Sequence, residues 1–332
     1  MPNRPNNLRT VRQINRRDIL FSVNLVPNSE RILVGSSRGK VLELDASQNN
    51  PQDRELADHG RYVTSVRLVQ GKVISGGYDG RLIWWDLANN RAIRTIEAHS
   101  RWIRHIAVSP DQSKIASVGD DMVCRIWNVE NGERLHELRG HERRTPTHFD
   151  SMLYICRFSN DGRFLATGDR VGHVVIWDVN NGEQLSSVET PELYTWDGRQ
   201  RIRSIGGVRA LAFSPNDLYL AIGGVGQIGN VDSIAGPSRV EVFDWQKGEQ
   251  LYVFTGENGI VNRLDYHPDN HWIFAVGGRA NGLSMFYDPQ NLEMIHRQNV
   301  PMHVHDLDYN NDMSRIYAVG HQKIAVLEVV NG

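Results

Sequence analysis

Ile176-Trp177-Asp178 ends an apolar run and leads into the turn Asn181-Gly182, and the same arrangement recurs along the chain. Upstream copies are Ile126-Trp127-Asn128 and Trp84-Trp85-Asp86; downstream copies are Val242-Phe243-Asp244 and Phe286-Tyr287-Asp288. Weaker copies lie at Glu43-Leu44-Asp45 and Val326-Leu327-Glu328. Their central positions are 41, 42, 50, 66, 44 and 40 residues apart. Such a period marks a repeat architecture, in which each unit is one supersecondary motif that must stack on its neighbours.

Residues 97–138 give one unit in full. Trp102-Ile103-Arg104-His105-Ile106-Ala107-Val108 reads as a strand, and Ser109-Pro110-Asp111 as a turn, since proline presets φ and aspartate bonds its own backbone. Lys114–Val118, Cys124–Val129 and Arg134–Leu138 are three further strands, separated by Gly119-Asp120-Asp121 and Asn131-Gly132. The unit is thus a four-stranded antiparallel meander, and no helical periodicity of useful length is present.

This pattern resembles the WD-repeat family over essentially the whole chain: the aromatic-Asp pair, the unit-opening Ala98-His99 and Gly140-His141, and the Ser-Pro-Asp turn occur together and in order. The resemblance implies an all-β fold, a seven-bladed β-propeller of four-stranded antiparallel blades forming a single domain over 1–332. The blades are expected at about 15–57, 58–97, 98–139, 140–189, 190–255, 256–298 and 299–332. The last unit supplies only three strands, and Arg9–Ile14 matches the fourth strand Arg91–Ile96 almost position for position. Residues 8–14 are therefore expected to complete the last blade and close the ring, which removes two exposed sheet edges.

The composition is that of a globular protein, 40% hydrophobic and 23% charged over 332 residues. A net charge of −2 gives no global field for nucleic acid or an acidic membrane. Cys124 and Cys156 make neither a disulfide framework nor a metal cage. No signal peptide or membrane-length apolar window is evident, so a cytoplasmic setting is expected.

Two sets could be taken for hydrolase triads: His59, Ser75 and Asp79, and His99, Ser117 and Asp121. They repeat in register, displaced by 40 residues at the histidine and 42 at the other two. A reactive centre is not usually duplicated with a structural period. The resemblance implies instead tetrads in which the Trp85 or Trp127 indole donates to the hydroxyl, the hydroxyl to the imidazole, and the imidazole to the carboxylate. The fourth unit has His141, Thr167 and Trp177 but Val171 where the aspartate belongs, so its network is either incomplete or finished by another group. His303 and His305 have strand spacing and face one side, with Asp306 beside them. No further ligand cluster accompanies them, so no metal or other cofactor is expected. Gly223–Gly229 is glycine-rich but opens no helix, which fails the dinucleotide-loop context.

Three insertions break the period, at Glu142–Asp150, about Thr190–Gly207, and Gly226–Ser238. In a four-stranded meander all three emerge at one end, which the resemblance implies is the top face. They carry Arg143, Arg144, Phe149, Tyr194, Trp196, Arg199, Arg201 and Arg203, and Tyr62, Arg101, Trp102 and Arg104 lie at the same end. Arginine and aromatic residues are enriched in binding hot spots. The expected function is a non-enzymatic scaffold that binds a protein partner, or an acidic or phosphorylated peptide, over blades 2–5. It is expected to act without nucleic acid or membrane, and as a candidate subunit of a larger complex. The competing reading is a propeller enzyme, or a metal or small-ligand binder, using His303, His305 and Asp306 at the channel mouth.

Overall fold

The computed structural model describes residues 5–199, 203–229, 231, 235–290 and 293–331. Among these the chain is all-β apart from a single 3-10 turn at Pro191–Leu193. Six four-stranded antiparallel meanders follow one another in a propeller arrangement. The first joins the end of β1 (Pro5–Leu25) to β2 (Arg31–Ser36), β3 (Lys40–Asp45) and β4 (Arg54–Asp58). The second is β5 (Val63–Val69), β6 (Lys72–Gly77), β7 (Arg81–Asp86) and β8 (Arg91–Glu97). The third is β9 (Ile103–Val108), β10 (Lys114–Gly119), β11 (Cys124–Asn128) and β12 (Arg134–Leu138). The fourth is β13 (Leu153–Phe158), β14 (Phe164–Asp169), β15 (His173–Asp178) and β16 (Gln184–Glu189). A ribbon of β17 (Tyr194–Asp197) and β18 (Arg203–Gly206) precedes the fifth, β19 (Ala210–Phe213), β20 (Tyr219–Val225), β21 (Pro237–Asp244) and β22 (Glu249–Asn258). The sixth is β23 (Ile260–Tyr266), β24 (Ile273–Gly278), β25 (Gly282–Tyr287) and β26 (Met294–Val300). β27 (Val304–Tyr309) and β28 (Arg315–Asn331) follow.

β1 is 21 residues long and serves two sheets. Leu20 to Leu25 pair with β2, while Leu8 to Ile19 pair antiparallel with β28, setting Leu8 opposite Val329 and Ile14 opposite Ile324. β28 folds back on itself near Gln322, whose φ is 56°. Its first part faces β27, and the Val329 amide returns to the Ser314 carbonyl at 2.8 Å.

Second strands such as β6 and β10 are buried on both faces, whereas the fourth strands β8 and β12 are largely solvated. This follows from stacking: the inner strands of each meander are covered on both sides by its neighbours. The core is accordingly divided into clusters that consecutive sheets share. Ile74 and Trp84 pack with Ile106 and Ile115, and Ala116 and Ile126 with Cys156 and Leu165. At the other end Phe274 and Phe286 pack with Leu307, Ile316 and Leu8, and Tyr317 and Ile324 with Leu20, Val34 and Leu44. The succession of shared cores returns to the first sheet. Each fully buried aliphatic or aromatic side chain contributes roughly 1.5–3 kcal/mol.

Candidate functional site

The recurring polar sets are built inside the meanders. In the third, His99 Nε2 accepts from Ser117 Oγ at 2.8 Å, Trp127 Nε1 donates to the same oxygen at 2.9 Å, and Nδ1 meets Asp121 at 2.9 Å. The second repeats this with His59 to Ser75 at 2.7 Å, Trp85 to Ser75 at 2.9 Å and His59 to Asp79 at 2.9 Å. Burial holds His99 below the usual histidine range and so neutral. Burial also opposes ionisation of Asp121, but hydrogen bonds from His99 and Arg125 overcome it and hold that carboxyl well below the usual range.

The fourth meander is completed by a group that the repeat pattern did not point to. His141 Nδ1 lies 3.0 Å from Asp169, and Nε2 lies 2.8 Å from Thr167, which also receives the Trp177 indole at 2.9 Å. Asp169 stands two positions after the hydroxyl residue, where the other two units have Gly77 and Gly119. A Cβ built on Gly119 would lie 3.2 Å from His99 Nδ1, so a carboxylate projecting from this position reaches the imidazole directly. Asp169 also accepts the amides of Val171 and His173, both at 3.0 Å.

At one end of the meanders runs an aromatic ladder. Phe21 and Tyr62 have ring centroids 5.5 Å apart, Tyr62 and Tyr78 5.1 Å, and Tyr78 stacks flat on Trp102 at 3.9 Å. Tyr62 and Trp102 are among the exposed large side chains. Arg104 lies over Tyr78 and Trp102, but both of its fork nitrogens are taken by Asp120, at 2.7 and 2.8 Å. It braces the ladder rather than offering a free charge. Arg101 pairs with Asp150 at 2.8 Å with both side chains half exposed, an ion pair worth at most about 1 kcal/mol.

The three insertions meet at this end and bond to one another. In the first, Arg144 donates to the His148 carbonyl at 2.7 Å, and Phe149 packs on Trp196 of the second at 5.1 Å. Tyr194 Oη approaches Thr147 Oγ1 at 3.4 Å. In the third, the Ile228 amide donates to Thr195 Oγ1 and the Gln227 amide group to the Tyr194 carbonyl, both at 2.9 Å. Arg203 reaches the Val231 carbonyl at 2.9 Å. Arg170, which sequence reasoning missed, donates to the Ser204 carbonyl at 2.9 Å and to Asp150 O at 3.4 Å, joining the first two insertions. Arg143 and Arg199 are exposed, and no side-chain hydrogen bond or ion pair engages them among the described residues. Arg201 lies outside the described residues.

The first strands of successive meanders line a channel with two chambers, one of about 230 Å³ on the insertion side and one of about 400 Å³ below. Between them Arg67, Arg157 and Arg263 surround half-buried His105, whose pKa desolvation and those three charges hold well below the usual histidine range. Asp265 holds Arg157 at 2.9 Å and Arg263 at 3.0 Å, and Asp306 holds Arg67 at 3.3 Å. His303, His305 and His321 cluster with centroids 4.8–4.9 Å apart, but the Asp306 carboxylate does not join them; it turns to Ser22, the Val23 amide and Arg67. His303 is bonded on both sides, to Asn262 at 2.7 Å and the Arg279 carbonyl at 2.9 Å. At the other end, His267, Asp269 and His271 of the β23–β24 turn bring ligand atoms within 4.8 Å of one another, although His267 Nδ1 already accepts the Asp269 amide.

Burial, with a smaller contribution from His321, lowers His303 from 6.5 to about 4; burial with neighbouring charge lowers His305 to about 3. Both folded-state values lie below the unfolded one, so the unfolded chain binds protons first as pH falls. Stability is full above about pH 6.5 and declines toward pH 4, by on the order of 2 kcal/mol for His303 at pH 4.5. The urea midpoint is expected to fall between pH 7 and 4.5, and to fall less in His303→Asn/His305→Asn; an unchanged pH slope in that variant would refute the assignment.

The family model described as "WD domain, G-beta repeat" matches residues 90–128, 132–178 and 248–286. The chain is 30% identical to human apoptotic protease-activating factor 1 over 240 residues, covering 72% of this chain and 17% of that protein. It is 29% identical to the Schizosaccharomyces pombe U3 small nucleolar RNA-associated protein 21 homolog over 202 residues, 59% of this chain and 20% of that one. Over 191 residues it is 28% identical to nuclear distribution protein PAC1-2 of Uncinocarpus reesii, 50% of this chain and 39% of the relative. The chain therefore spans well under half the length of these relatives. No helix among the described residues is long and apolar enough to cross a membrane.

Proposed function

The chain belongs to the WD-repeat family, and we propose that it is a non-enzymatic interaction scaffold docking an acidic or phosphorylated peptide, or a partner domain, on the insertion-bearing face of blades 2–5. The observation that carries this reading is the cap itself. Three insertions from two consecutive meanders are bonded into one layer beside an exposed aromatic ladder, and Arg143 and Arg199 point outward from it. A layer fixed before binding loses little ordering entropy when a partner arrives. Tyr62, Trp102, Phe149 and Trp196 supply rigid contact area, and the arginines attract carboxylate or phosphate. Arg101, Arg144 and Arg203 form the rim, their own bonds fixing its shape, and Arg104 sets the height of the ladder.

The tetrads belong to this reading as bracing. Ser75 and Ser117 are fully buried, each hydroxyl receives an indole N–H, and each is spent on its histidine, so neither is accessible as a nucleophile. A seven-bladed ring with residues 8–14 completing the last blade is part of the same proposal, supported by the pairing of β1 with β28 and by the cores that return to the first sheet. A cytoplasmic setting is supported by the buried, unpaired thiols Cys124 and Cys156. Participation in a larger assembly, and no role for nucleic acid, complete the reading; the net charge of −2 supports the latter.

The test is a panel of acidic and phosphorylated peptides measured against wild type and Arg143→Glu/Arg199→Glu. The best binder is expected to weaken at least tenfold, with the thermal midpoint unchanged within about 1 °C, since exposed substitutions cost little. Equal affinity for both proteins would mean that the face is elsewhere.

A further inference from the structure

We propose that the upper chamber of the channel is a receptor for a small oxyanion, a phosphate or carboxylate group bound between Arg209 and His305. This goes beyond the docking face and holds whether or not the rim binds a partner. The chamber encloses about 230 Å³, and Arg104, Tyr154, Arg157, Arg209, Arg263 and His305 are among its lining residues.

The charges on its wall are unequally matched. Asp120 holds Arg104 with both oxygens. Arg157 and Arg263 share Asp265, and Arg263 also lies 3.6 Å from Asp306. Arg209 has no carboxylate partner among the described residues. Its guanidinium lies 3.7 Å from the centroid of the Tyr154 ring, and one terminal nitrogen donates to the Gly206 carbonyl at 3.1 Å. Those two contacts fix the fork yet leave the Nε–H buried without an acceptor. Nε2 of His305, on the same chamber, is likewise buried and unpartnered. Buried polar atoms without partners are rare in native proteins and ask for an explanation.

A bound oxyanion supplies one. It accepts from Arg209 Nε, and from His305 in the tautomer that carries the proton on Nε2. It also balances Arg209, the guanidinium on this wall that has no carboxylate partner among the described residues. Arginine forks suit tetrahedral and planar oxyanions, and charged hydrogen bonds are stronger beside apolar wall such as that supplied by Phe21, Tyr78 and Leu211 than in bulk water. Both atoms are buried, so a small side-chain rotation turns each N–H toward the anion as it enters.

The experiment titrates inorganic phosphate into the purified protein at constant ionic strength, with chloride as the balancing ion, and follows the thermal midpoint and ³¹P line width. A second arm titrates a short O-phosphoserine peptide. Saturable stabilisation by phosphate alone identifies a free ion as sufficient, and saturation by the peptide alone identifies a phosphate carried on a side chain. Either response should weaken at least tenfold in Arg209→Gln. It should weaken likewise in Arg209→Lys, which keeps the charge but not the Nε–H, and in His305→Asn, while Arg143→Glu leaves the free-phosphate response unchanged. Near-ultraviolet circular dichroism checks each fold; should Arg209→Gln not fold, His305→Asn and the wild-type ³¹P titration decide. Midpoints that rise with phosphate or peptide concentration without saturating in both arms, or a folded Arg209→Gln that matches wild type, would overturn the proposal.

Discussion

Asp169→Ala is expected to destabilise the protein by about 3–5 kcal/mol, the range for removing one member of a buried charged hydrogen-bond set. The side chain is 1% exposed and serves three donors: the His141 imidazole and the amides of Val171 and His173. Removing it strands all three at once, and an unmet buried donor costs about 1–3 kcal/mol. Asp169→Asn keeps one oxygen and should lose roughly half as much. Val171→Ala, at the position the repeat assigns to the carboxylate, should cost about 1 kcal/mol or less. Urea unfolding at pH 7 with unchanged slope ranks the three. If Val171→Ala proved as damaging as Asp169→Ala, the tetrad assigned to the fourth meander would be wrong.

The second large effect concerns β1. Deleting residues 1–15 withdraws Leu8 and Ile14, which are 2% and 4% exposed, and bares the backbone of β28. Two such side chains alone contribute roughly 3–6 kcal/mol, and the unpaired strand becomes a template for aggregation. The truncated chain is expected to be insoluble or to unfold well below the wild-type midpoint. A synthetic peptide spanning residues 5–19, added in trans, should restore part of the loss. Leu8→Asp separates packing from chain length. A truncated protein that melts with wild type would show that the strand is dispensable.

The repeat made most of the architecture legible, because each aromatic-Asp triplet marks a third strand and each turn carries its own chemistry. Trp85 and Trp127 stand where the period puts them, with Ser75 and Ser117 ten positions earlier on the neighbouring strand. Asp169 was missed for a local reason: the pattern fixes where a residue usually stands, whereas the imidazole needs only an oxygen within reach of Nδ1, and two backbone positions satisfy that. Arg104 looked available because Asp120, sixteen residues away, meets it only through the close approach of the β10 end to β9. Arg170 and the bonds among the insertions join residues from separate units, and spacing within one chain carries no signal for such encounters. The unpartnered atoms of Arg209 and His305 were invisible for the same reason: a vacancy is defined by everything around it.

Because Pro5 pairs with Asn331 and the strands run antiparallel, tension applied at these two points loads the β1–β28 ladder one rung at a time. Such a zipper yields at low force, whereas the same number of rungs pulled lengthwise would share the load. A partner or tether that draws the two ends apart would thus open the molecule at this seam first and leave the six meanders standing.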